Sequence, residues 1–111
     1  MDQPIETKYP SVYEFVDKVI RPAYAVTEER LSETNWASRW WAHPEAVLRL
    51  DALWRRFEQL RIAEPATFME TFLRVHADYH MAKLMRPDGV FADCRREDSP
   101  SIALPSDSIE P

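Results

Sequence analysis

A single glycine, Gly89, stands among 111 residues. Tight β-hairpins turn on residues at positive φ, which glycine adopts at low cost, and the chain offers no Asn-Gly or Gly-Gly pair to build them. A meander of short strands therefore lacks its connectors. The alternative is a helical chain punctuated by its nine prolines, and the apolar periodicity agrees.

The first helix opens at SVYE, where Ser11 can cap and Glu14 can reach back, and Val12, Phe15, Val16, Val19 and Ile20 then share a face. Pro22 ends or kinks it. The polar run AVTEERLSETN has little period and is expected to be a loop or a short irregular turn. Pro44 suits the first position of a second helix, whose Val47, Leu50, Leu53, Trp54, Phe57 and Leu60 recur at spacings of three and four. Its polar residues, Arg49, Asp51, Arg55, Arg56, Glu58 and Gln59, are assigned to the opposite side, with Glu45–Arg49 and Asp51–Arg55 as pairs one turn apart. After Pro65, a third helix carries Phe68, Phe72, Val75, Tyr79 and Ala82 on one stripe, and Met69, Leu73, His76, His80 and Leu84 on the next. RPDG then signals a turn, after which Val90 and Phe91 can fold back as an apolar clasp.

The expectation is an all-α, small compact domain of three principal helices, near 11–25, 43–62 and 65–86, closed by a clasp at 87–91 and flanked by disordered ends. The helical domain covers 10–95, between a flexible start at 1–9 and a flexible acidic tail at 96–111 rich in Ser and Pro. Apolar residues at 45%, with four Trp, four Tyr and five Phe, suffice for one core. Leu50, Trp54, Phe57, Phe72 and Val75 are its predicted centre.

A net charge of −5 argues against long-range attraction to nucleic acid or anionic lipid. Cys94 is the only cysteine, so no intrachain disulfide forms. MDQPIETKYP has neither the basic start nor the apolar run of a signal peptide, and no stretch approaches a membrane span, so the cytoplasm is the expected location.

The stretches WASRWWAHPEAVLRLDALWRRFEQLR, HADYHMAKLMRPDGVFADC and FVDKVIRPAY resemble domain-of-unknown-function family 4913, short proteins of high-GC Gram-positive bacteria and their plasmids, integrative elements and phages. The resemblance runs from about Tyr13 to Cys94, and its motif positions include Trp36, Trp40, Trp41, His43, Pro44, Glu45, Leu53, Trp54, His76, Asp78, His80 and Met81. It implies a mobile-element setting and no established activity. Two positions depart from the pattern. Ala37 stands where many relatives have Cys, and Tyr79 where many have Pro, which leaves the helix through HADYH free to continue.

HADYH places His76 and His80 one helical turn apart, roughly 5–6 Å at Cβ, a spacing at which two imidazoles can share a zinc ion. His43 and Cys94 are the other candidate ligands, but their order matches no zinc motif. The competing reading, carried forward here, is a packed helix whose histidines bond neighbouring groups, with no cofactor required. A zincin is excluded, because Ala77 occupies the place of the general base in HExxH. One glycine rules out a phosphate loop, there is no GxSxG elbow, and Cys94 beside Arg95 and Arg96, or Glu45 beside His43, does not assemble a catalytic set. The expectation is a protein without enzymatic activity.

Trp40 and Trp41 cannot both face one core along a regular helix. Either the segment is irregular and both are buried, or one is exposed as an anchor for a partner. Core burial is favoured in a domain this small, with Trp36, Trp40, Trp41, Arg39, Arg55 and Arg56 as the candidate partner-binding set. Five arginines against three acids between 39 and 61 leave a local surplus of two positive charges, which one-turn pairing partly absorbs. The functional expectation is a protein-binding accessory factor of a mobile element. A metal-stabilised or DNA-contacting accessory factor is the alternative.

Overall fold

A computed structural model describes residues 6–31, 33–92 and 105. They form an all-α domain with four helices: α1 over 12–23, α2 at Glu28–Leu31, α3 at Pro44–Ala63 and α4 over 68–85, with a 3-10 turn at Trp40–Ala42 ahead of α3. No described helix is long and apolar enough to cross a membrane. Cys94 and most of the tail lie outside the described residues, as do residues 1–5 of the expected flexible start.

Local chemistry sets the helix starts. Ser11 sits in extended backbone and its hydroxyl accepts the Glu14 N–H at 3.3 Å, capping α1. Pro44 occupies the first turn of α3, where an absent N–H costs nothing. Both Glu45–Arg49 and Asp51–Arg55 pair along its surface, at 2.9 and 2.8 Å.

α1 and α4 each contain one widened π-turn, at Val16–Ile20 and Phe72–Ala77, where the chain bonds five residues back instead of four. The first lies just before Pro22, whose ring would crowd the carbonyl four residues back in a regular helix, so the chain passes the proline and ends at Ala23. The second advances the buried face of α4 by one position. Phe72 is buried, and the next buried residues are Ala77, Met81 and Leu84.

This shift corrects the predicted stripe. Val75, expected in the core, is 45% exposed, and Tyr79 and Ala82 also face solvent. Leu50, Phe57 and Phe72 are buried as expected, whereas Trp54 is half-buried at the core's edge. A second correction concerns AVTEERLSETN, which is not only loop but contains α2.

The core centres on three rings from three helices. Phe15, Phe57 and Phe72 lie 5.2 to 5.9 Å apart at their centroids, at steep angles that set ring edges against faces. Tyr9 joins them from the N-terminal stretch, 5.9 Å from Phe57. That stretch is tied down by α3. Glu58, assigned to the solvent side from sequence, is 3% exposed, and its two carboxylate oxygens accept the N–H groups of Lys8 and Tyr9 at 2.9 and 3.0 Å. Arg61 donates to the same carboxylate at 2.6 Å, and the Trp54 indole donates to the Tyr9 carbonyl at 3.1 Å. Of the start expected to be flexible, Lys8 and Tyr9 are therefore held by backbone hydrogen bonds.

Beyond α4, the predicted clasp forms. The N–H of Gly89 bonds the Arg86 carbonyl, and Phe91 is fully buried against Trp36 and His43, at ring distances of 5.0 and 5.4 Å. Gly89 sits here because space is lacking: a Cβ would stand 2.8 Å from the Lys83 carbonyl oxygen and 3.0 Å from that of Leu84.

Candidate functional site

The 3-10 turn at Trp40–Ala42 resolves the adjacent indoles. Trp40 points inward, 6% exposed, and tilts against the Tyr13 ring at 5.4 Å. Trp41 points outward at 49% exposure, with the Arg39 guanidinium 5.2 Å from its ring. The expected burial therefore holds for Trp40 and fails for Trp41, because a tight turn sends consecutive side chains apart. Trp36 is half-buried under the Phe91 clasp.

All three indoles line one open cleft of about 650 Å³ between α1, this segment and α4. Volumes of roughly 300–1,000 Å³ are typical of sites that hold a ligand. Tyr13 and Val26, 56% and 42% exposed, stand on its rim with Trp41, while Met81 and Met85 enter it from α4. Its polar groups are largely satisfied internally. Asp17 and Arg21 pair at 2.6 Å, and the Tyr24 hydroxyl donates to Asp78 at 2.6 Å. Burial and the Asp78 carboxylate both push the Tyr24 phenol well above its ordinary value of 10.0, so it stays a neutral donor. What remains presented to solvent is aromatic and thioether surface.

The other predicted partner residues do not line this cleft. Arg55 pairs with Asp51 and lies 5.7 Å from the Trp54 ring, and Arg56 turns toward α4. Tyr13, Tyr24 and Met85, which do line it, carried no signal in sequence, since α1 and α4 meet the Trp segment only through the tertiary fold.

The histidines of HADYH are held by arginines. Arg56 Nε donates to His76 Nε2 at 3.2 Å, and Arg49 Nη1 lies 3.0 Å from His80 Nδ1 while its Nε bonds Glu45 at 2.9 Å. A guanidinium can only donate, so each imidazole accepts with that nitrogen and carries its proton on the other. Burial and the neighbouring arginine lower the pKa of both rings, and for His80 the proximity of His76 adds to this. The nitrogens that would face a metal thus face fixed positive charge. His43 is buried beside Phe91 instead, Cys94 lies outside the described residues, and among the described residues no three ligand-type side chains converge. The four candidate ligands are not brought together within what is described.

Neither a curated protein nor a solved structure matches the chain. A family model does, over residues 9–110, spanning the Trp segment, both histidines and the clasp. The chain therefore belongs to the family described as a domain of unknown function, DUF4913.

Proposed function

We propose that this domain is a non-enzymatic, intracellular binding module that holds a segment of another protein in the cleft beside Trp41. One observation carries the reading: Trp41 and Tyr13, 49% and 56% exposed, rim a cleft whose wall includes two methionines. Tryptophan and tyrosine are common anchors of protein interfaces, and methionine adapts to varied apolar partners. The resemblance to proteins of plasmids, integrative elements and phages makes the partner a component of such an element or of its host.

The metal and DNA alternatives find less support. The ring nitrogens that could bind zinc are engaged by Arg49 and Arg56. Of the α3 arginines, Arg49, Arg55 and Arg61 each have a carboxylate partner, on a chain of net charge −5. Affinity capture from the native host, with the wild type beside Trp41→Ala/Tyr13→Ala, tests the reading. Protein prey that the double variant loses is the expected result. Recovery of DNA, or prey indifferent to both substitutions, overturns it.

A further inference from the structure

The surface junction between α3 and α4 is built from two like pairs. His76 faces Arg56, and His80 faces Arg49, with the two imidazoles one turn apart on α4. In each pair the arginine donates and the imidazole accepts, and a guanidinium stays charged throughout the ordinary pH range. An imidazole that gains a proton loses its acceptor nitrogen. Each hydrogen bond would then become a donor facing a donor, and a positive charge facing a positive charge.

The surroundings offer little to absorb that charge. Glu45 lies nearby but is engaged by Arg49, and Asp78, between the histidines in sequence, accepts the Tyr24 hydroxyl from α1. Gln59, which also bonds Arg56, is neutral, and Tyr79 sets its ring edgewise to His80 at 5.2 Å with Lys83 over its own face. Two protonations would line up four positive charges along the junction with Glu45 as the carboxylate in contact.

We propose that His76 and His80 form a proton-sensitive latch, which ties α4 to α3 while both rings are neutral and weakens that tie in mild acid. The lowered affinity of both rings for protons is consistent with this geometry. Their folded values lie below those of the unfolded chain, so the latch contributes fully above the ordinary histidine value of about 6.5. Its contribution falls as pH drops from there through the lower, folded values. Glu58 responds to acid in a separate, lower window, because its folded value lies below an ordinary 4.5.

Two measurements on the full chain test the latch. Imidazole titration by NMR should find His76 and His80 below about 6.5 in the wild type. Urea unfolding from about pH 7.5 to about pH 5.5 should show a falling midpoint, with about two more protons taken up on unfolding by the wild type than by His76→Gln/His80→Gln. Glutamine keeps an acceptor and cannot be charged in this range. Either ring titrating at or above the ordinary value, or an equal acid loss in the double variant, overturns the proposal.

Discussion

The two ends of α3 make opposite use of similar side chains. At the C-terminal end, Trp54, Arg61 and Glu58 close on the N-terminal stretch, and both Glu58 oxygens accept from it. At the N-terminal end, Trp41, Arg39 and Tyr13 stand over an open cleft, with Trp41 and Tyr13 about half exposed. A tryptophan and an arginine are therefore not a site by their identity. What separates the ends is whether their apolar and polar surfaces already have partners within the chain, and only the cleft end leaves apolar surface uncovered.

The strongest way to break this comparison lies within one dipeptide. Trp40→Ala should destabilise the fold by about 3–5 kcal/mol, because it empties a buried site against Tyr13. Urea denaturation reads this directly. A small cost would mean that Trp40, too, belongs to the open surface.

At the closed end, Glu58→Ala should cost about 2–3 kcal/mol, since it strips the acceptor from two backbone N–H groups and Arg61. The pH dependence sharpens the point. Burial alone would raise the Glu58 pKa, but the N–H of Lys8, Arg61 and the N–H of Tyr9 outweigh it and leave the carboxyl below 4.5. The folded value is the lower one, so this stabilisation is complete above 4.5 and is lost as pH falls through the folded value. Thermal melts of Glu58→Gln across that range should lose part of the acid sensitivity of the wild type.

Gly89→Ala should cost about 1–3 kcal/mol, because a Cβ must displace the end of α4 at the Lys83 and Leu84 carbonyls. The near-ultraviolet signal of Trp36, which rests on Phe91, should change with it. The smallest effect is expected for Trp41→Ala, under about 1 kcal/mol, as half of that side chain is already in water. A larger loss would place Trp41 among the structural residues and remove the contrast between the ends.

Local rules were readable from sequence where one residue decides one event. Ser11 capped, Pro44 opened a helix, and Phe91 closed the clasp. Periodicity was readable along α3, where Leu50, Leu53, Phe57 and Leu60 are all buried. It failed in α4 because a constant period was assumed, and the π-turn advanced the face past Val75. Glu58 was misassigned for a different reason: its partners are backbone groups some fifty positions away, and a backbone N–H has no side-chain signature. The cleft was half readable. Its tryptophans stood out, but Tyr13, Tyr24 and Met85 join them only when three distant segments pack.

The π-turn of α4 also behaves as an accommodated insertion. Relative to a regular helix it holds one extra residue between Phe72 and Ala77, and one residue corresponds to a rotation of about 100°. Removing a single residue from 72–77 would restore regular winding, yet it would turn everything downstream around the axis. Met81 and Leu84 would leave the core, both histidines would swing away from Arg49 and Arg56, and the clasp would start from the wrong side of the helix. The length of this segment is thus under tighter constraint than its composition: a substitution here is a local event, whereas a one-residue deletion is a global one.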